Sequence, residues 1–364
     1  MFLATTSVLA FALLALPQTP PSPAPSSPAP STSATAPATP AVAYDPMQLP
    51  ERRGTSFQFT VHDLQRTRQI PLRVYLPADE APAPVVLWSH GLGGSCENSP
   101  YLGQHWSARG YVVVMMQHAG SDEAVWKDSK PRERYATLQK AASGKNLQLR
   151  AEDVKAVLDQ LTTWNGEQDH LLRARLDLEH VGMCGHSFGA VTTQAVSGQI
   201  LPLFGSKWTD PRIDAALPMS PSKPRAGDVG KAFGAVKIPW LLMTGTEDTA
   251  LIADLEVADR LVVFPALPST IDRYELVLDG AQHSVFGERA LPGEREPKEA
   301  HHRTILALST AFWDSHLRGD PAAKQWLHGD GARTVLTGKD SWRWAAAGDT
   351  TKFEPAGTPV ATPR

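Results

Sequence analysis

Val181-Gly-Met-Cys-Gly-His-Ser-Phe-Gly-Ala190 is the stretch on which the reading of this chain turns. It opens on an apolar run, passes through Gly185-His186-Ser187-Phe188-Gly189, and continues into small residues suited to a helix. The pattern G-x-S-x-G places a serine on a sharp strand-to-helix turn. Such a turn forces the serine backbone into a sparsely populated conformation, and glycine on both sides lets neighbouring elements come close. The hydroxyl then stands at the carboxyl end of a sheet, where a helix N-terminus favours developing negative charge. Ser187 is therefore the candidate nucleophile, with an incidental serine in a tight turn as the plain alternative.

Outward from this turn, strands and helices alternate. Phe57–His62 and Ile70–Leu76 read as a hairpin around the polar stretch Asp63–Gln69. Val85–Ser89, Tyr111–Gln117, His180–Cys184, Ile213–Met219, Pro239–Met243 and Tyr274–Leu278 read as buried strands, because they are near-continuous apolar runs. Leu149–Trp164, Ala190–Ile200 and Thr304–Leu317 read as helices; Val154, Val157, Leu158 and Leu161 in the first recur at helical spacing. The expectation is an α/β fold, a mostly parallel sheet with helices on both faces and the leading hairpin as an antiparallel edge. Ser121–Asn146 is polar and charged, and reads as a lid insertion or a solvated excursion. Arg333–Trp344 reads as a short trailing element, with a tail from about residue 346.

A serine nucleophile needs an oxyanion hole, a base and an acid. Two preorganised N–H donors must meet the charge that develops on a substrate carbonyl. One is the amide of the residue after the serine, Phe188. The other comes from the glycine loop Ser89-His-Gly-Leu-Gly-Gly94, with Leu92 placed as donor and Gly91 as runner-up. Gly91, Gly93 and His186 are the candidate substrate-facing residues; His90 reads as structural. In this arrangement the acid and then the base follow the serine in the chain. Of 12 histidines, five follow residue 243: His283, His301, His302, His316 and His328. His283 ends Asp279-Gly-Ala-Gln-His283, a glycine-containing loop just past a strand, and is the preferred base. The strand Trp240–Met243 runs into a turn ending in Glu247-Asp248, which makes Asp248 the preferred acid, Glu247 the near alternative and Asp214 a weaker one.

The 364 residues carry a net charge of −3, so a nucleic-acid partner has no electrostatic support. Two cysteines, Cys96 and Cys184, exclude a disulfide scaffold; a single bridge between them is a minor option, since Cys184 reads as a small buried hydrophobe. No metal or organic cofactor is expected, and no nucleotide-binding glycine motif is present. Residues 2–16 are apolar and uncharged and read as the core of an export signal, without a preceding Lys or Arg. Pro17–Pro40 holds nine prolines in 24 residues and reads, through residue 45, as an extended spacer. The expected organisation is a signal over 1–16, a linker over 17–45 and one domain over 46–364, secreted or periplasmic and monomeric. No later apolar run approaches the roughly 18 residues that a membrane span needs.

These segments resemble the α/β-hydrolase superfamily. More narrowly, Ser89-His-Gly-Leu-Gly93 together with Gly185-His-Ser-Phe-Gly189 resembles the platelet-activating-factor acetylhydrolase and dienelactone-hydrolase-like group, with bacterial polyester hydrolases and cutinases as more distant relatives. Ile70-Pro-Leu-Arg-Val-Tyr-Leu-Pro77, Arg150-Ala-Glu-Asp153 and Leu317-Arg-Gly-Asp320 carry the same resemblance, which covers residues 55–345. It implies the α/β-hydrolase fold, ester hydrolysis of a small-molecule or lipid substrate by a Ser187–Asp248–His283 triad, and oxyanion donors at Leu92 and Phe188. Two departures stand out. The animal acetylhydrolases carry their acid on an earlier strand, and the matching segment here, Ala215–Ser220, has no carboxylate. Dienelactone hydrolases use a cysteine where Ser187 stands. The competing reading is a catalytically silent fold serving as an envelope-binding module; retention of nucleophile, base, acid and glycine loop argues against it.

Overall fold

The apolar runs of the sequence fold into one nine-stranded sheet, ordered β1-β2-β4-β3-β5-β6-β7-β8-β9. The computed structural model describes residues 43–356 apart from 251, 253, 289 and 292. The expected signal and most of the expected spacer lie outside the described residues. Among the described residues, packing begins at Tyr44, just ahead of the expected boundary at 46: its hydroxyl donates to Asp314 at 2.7 Å and its ring meets Trp326 edge-on.

The strands are β1 Thr55–Asp63, β2 Arg68–Leu76, β3 Ala83–Ser89, β4 Val112–Met116, β5 Leu176–His186, β6 Ala215–Met219, β7 Trp240–Glu247, β8 Arg273–Gln282 and β9 Ser341–Ala345. From β4 through β8 every neighbouring pair is parallel. β1 and β2 form the expected antiparallel hairpin, and β2 joins β4 antiparallel. The trailing element supplies β9, which pairs antiparallel with β8, so the sheet has an antiparallel edge at both ends rather than one. Its Ser-Trp-Arg-Trp-Ala sequence alternates rather than running apolar, as an edge strand with one covered face does.

The helices among the described residues are α1 Pro100–Ala108, α2 Ala124–Lys127, α3 Arg134–Ala141, α4 Gly144–Gly166, α5 Phe188–Val196, α6 Val229–Phe233, α7 Val257–Leu261, α8 Val263–Ala266, α9 Glu299–Leu317 and α10 Pro321–His328. Alternate residues of β3 feed opposite cores. Val86 and Trp88 pack with Leu102 and Trp106 of α1 and with Phe312 and Trp313 of α9. Val85 and Leu87 pack with Val154, Val157, Leu158 and Leu161 of α4. This two-faced burial explains the uninterrupted apolar strands, each large side chain contributing about 1.5–3 kcal/mol. Because β5, β7 and β8 are parallel, their carboxyl ends lie along one edge. Ser187 follows β5, Asp248 follows β7 and His283 follows β8. The architecture is that of the α/β-hydrolase fold.

Candidate active site

The turn after β5 is built as its glycines require. Ser187 has φ 56° and ψ −114°, a conformation that L residues rarely adopt and that the surroundings must hold in place. A side chain at Gly189 would collide with the Ser89 carbonyl, and one at Gly185 with the backbone of Gly189. The two glycines thus let α5 press onto the end of β3. The Ser187 amide donates to the Met219 carbonyl at 3.0 Å, which ties the turn to β6. The helix begins at Phe188, two residues earlier than the sequence reading placed it, so its first free amide stands directly beside the serine.

Ser187 Oγ lies 2.8 Å from His283 Nε2, across 96 residues of chain. His283 Nδ1 lies 2.6 Å from Asp248 Oδ1. A carboxylate only accepts, so Nδ1 carries the proton and Nε2 is left to accept the serine O–H. Asp248 is fully buried, and both carboxylate oxygens are engaged. Oδ1 also forms an ion pair with Arg260 Nη2 at 3.0 Å, while Oδ2 accepts from Ser220 Oγ at 2.7 Å and Thr244 Oγ1 at 2.8 Å. Burial alone would raise this carboxyl. The Arg260 charge, with hydrogen bonds from His283 and Ser220, outweighs it and holds Asp248 well below the usual carboxylate range. Arg260 is itself pinned by the carbonyls of Asp248, Ser220 and Pro221 at 2.7, 2.9 and 3.1 Å. The segment without a carboxylate, Ala215–Ser220, therefore still serves the acid: its last residue donates a hydroxyl to a carboxylate rooted one strand over.

The glycine loop lies against Ser187. A methyl group added to Gly91 would sit 3.6 Å from Ser187 Cβ and 3.4 Å from His186 Nδ1. Among the described residues, neither the Leu92 nor the Phe188 amide has a hydrogen-bond acceptor. Gly93 has φ 76° and commits both its backbone groups to the segment 121–126, donating to Ser121 O and accepting from Trp126 Nε1, each at 2.8 Å. The stretch Ser121–Asn146, expected as a lid or an excursion, is stitched to the glycine loop at its start and carries α2 and α3. His186 packs beside His283 with the rings tilted and their centroids 4.7 Å apart, and near Phe286 at 5.5 Å. Burial, then the neighbouring His283, pushes its pKa down to about 3, so it is neutral.

The remaining sequence candidates lie elsewhere. Glu247 pairs with Arg295 at 2.6 Å on the surface. Asp214 accepts from the Val181 amide at 2.8 Å, just ahead of β6 and away from the strand ends that carry Ser187. His302 reaches the Val285 and Gly287 carbonyls, and His316 the Tyr274 hydroxyl. His90 Nε2 accepts from the His118 amide at 3.0 Å. Cys96 and Cys184 are both free, buried thiols. Sequence reasoning missed Arg260, Ser220 and Thr244, since no spacing rule links them to Asp248. It also missed His118 and gave no role to Arg150, although Arg150-Ala-Glu-Asp153 had been singled out.

No protein-family model matches the chain. The chain is 23% identical over 210 residues to cutinase est2 of Thermobifida alba, covering 58% of this chain and 56% of that protein. It is 24% identical over 210 residues to cutinase 2 of Thermobifida cellulosilytica, covering 58% and 64%. Cutinase cut1 of Thermobifida fusca is 24% identical over 210 residues, covering 58% and 52%. The match thus spans a little over half of the relatives' own length. Sheet order, nucleophile turn and this distant similarity agree on one superfamily, that of the α/β-hydrolases.

Proposed function

We propose that the protein is a serine hydrolase of carboxylic esters that works through an acyl-enzyme. Ser187 Oγ bonds to the ester carbonyl carbon as its proton passes to His283 Nε2, and the carbonyl electron pair moves onto oxygen. Asp248 holds the imidazole in the tautomer that can take that proton and stabilises the cation formed. The Phe188 and Leu92 amides receive the oxyanion. Collapse breaks the bond to the alcohol, which leaves with the proton from Nε2. Water then repeats the sequence on the acyl-enzyme and frees Ser187. The observation that carries this reading is the unbroken Ser187–His283–Asp248 chain at 2.8 and 2.6 Å.

Ser187→Ala should lower turnover of p-nitrophenyl butyrate by about 10⁴-fold or more. It should also abolish labelling by a fluorophosphonate. Near-native turnover in the variant would remove Ser187 from the mechanism. A folded wild type that takes no label would favour the silent binding module. A second reading, hydrolysis of a polyester, is favoured by the similarity to three cutinases. A series of p-nitrophenyl esters of rising chain length beside a polyester film separates it from a preference for small or lipid esters. Export through residues 1–16 is part of the same proposal, and the N-terminus of the mature protein tests it. No helix among the described residues is long and apolar enough to cross a membrane.

A further inference from the structure

A second Ser–His–Asp chain runs beneath the glycine loop, where no substrate reaches it. Ser89 Oγ is 2.9 Å from His118 Nε2, and His118 Nδ1 is 3.1 Å from Asp153 Oδ2; all three residues are fully buried. Arg66 and Arg68 neutralise Asp153 at 2.9 and 2.8 Å. Arg150, one turn earlier on α4, is fully buried too, yet among the described residues no carboxylate lies within ion-pair distance of it. A buried guanidinium without a counter-ion is costly, so its contacts merit an explanation. Burial pushes its pKa down to about 9, opposed by Asp153 and Asp122, which leaves it cationic at neutral pH.

Its contacts are directed at the two halves of the proposed oxyanion hole. Nη2 donates to the His90 carbonyl and, at 3.3 Å, to Ser89 Oγ. Nη1 donates to Ser121 Oγ at 3.4 Å. The guanidinium carbon lies over the Phe188 ring, 4.6 Å from its centre. The His90 carbonyl belongs to the same peptide unit as the Gly91 N–H, next to Leu92. Phe188 supplies the other donor amide. We infer that Arg150 is the positioning residue of the oxyanion hole, one guanidinium holding the glycine loop by its His90 carbonyl and the start of α5 by the Phe188 ring. The spacing between the donor amides is then set from behind by a planar, forked group that lysine does not reproduce. A charge-assisted bond to the His90 carbonyl also fixes the plane of the His90–Gly91 peptide, from which the Leu92 amide follows.

This inference rests on the ester-hydrolase reading. Its test compares wild type, Arg150→Lys, Arg150→Met, Phe188→Leu and the Arg150→Lys/Phe188→Leu double variant in full-length protein. Each is assayed for p-nitrophenyl butyrate turnover, thermal midpoint and inhibition by an alkyl trifluoromethyl ketone. That ketone adds Ser187 Oγ to its carbonyl carbon, so its oxygen becomes an anion in the hole while the serine proton rests on His283. In Arg150→Lys, kcat should fall on the order of 10²-fold with KM nearly unchanged. The trifluoromethyl ketone should weaken in proportion to the loss in kcat/KM, whereas a methyl ketone of the same length should bind as before. The two substitutions should be less than additive, because each removes the same clamp. Should Arg150→Met not fold, the lysine variant and the Phe188 arm carry the test. A folded Arg150→Lys with native kcat and native trifluoromethyl ketone affinity overturns the inference, as does an additive cycle. A wild type that turns over no ester and takes no fluorophosphonate overturns the ester-hydrolase reading, and this inference with it.

Discussion

The molecule contains the same three side chains twice, wired alike and placed differently. Ser187–His283–Asp248 is joined at 2.8 and 2.6 Å, and Ser89–His118–Asp153 at 2.9 and 3.1 Å. Distances alone would not separate them. Ser89 ends a strand, is fully buried, and has its oxygen taken by Arg150. Ser187 stands on a strained turn, partly exposed, beside two uncommitted amides. His118 is pushed down to about 4 by burial and then by Arg150, which keeps it neutral, so it bonds its neighbours without becoming an imidazolium. A serine, an imidazole and a carboxylate in a row amount to a hydrogen-bonding device. Access, backbone strain and oxyanion donors turn one copy into candidate chemistry and leave the other as scaffold.

Three measurements press on this contrast. The largest effect belongs to the exposed copy: Asp248→Asn should cut kcat by about 10⁴-fold by favouring the wrong tautomer of His283. Steady-state kinetics would read it, and a loss below tenfold would place the orienting role elsewhere. In the buried copy, Asp153→Asn removes the charge that faces Arg66, Arg68 and His118. It should cost about 3 kcal/mol of stability in urea unfolding, while kcat in the remaining folded protein stays within about tenfold. Equal losses of activity from both aspartates would erase the distinction.

The third effect is a pH slope, spread over several buried histidines. Burial lowers His90, His105 and His118, the last two to about 4, so all three are neutral when folded near neutrality. The unfolded chain gains these protons first, near pH 6.5. Their contribution is therefore complete above about pH 6.5 and is lost as pH falls toward 4, at up to about 1.4 kcal/mol per pH unit for each histidine. The thermal midpoint should drop across that window, and His118→Gln should flatten the slope. A midpoint independent of pH between 7 and 4 would mean that these rings are already charged in the fold.

Much of this was legible before any coordinates. Burial on both faces writes β3 to β8 as apolar runs, and a turn as demanding as Gly185–Gly189 leaves few sequences able to form it. α1 was not legible, since Pro100-Tyr-Leu-Gly-Gln-His-Trp-Ser-Ala108 mixes polar and apolar residues that are buried nonetheless. β9 was hidden because an edge strand does not read as an apolar run. The order of serine, acid and base pointed to Asp248 and His283, and the structure brings them to Ser187. The groups that satisfy Asp248 left no such trace. Arg260 follows it by 12 residues and Ser220 precedes it by 28, so only the fold brings them within reach.

One hydrogen bond, from Ser220 Oγ to Asp248 Oδ2, reaches past the local wiring. It joins the tips of two adjacent strands at the point where the imidazole draws its negative partner. A carboxylate anchored on β6 and one anchored on β7 can thus occupy the same berth while base and nucleophile stay put.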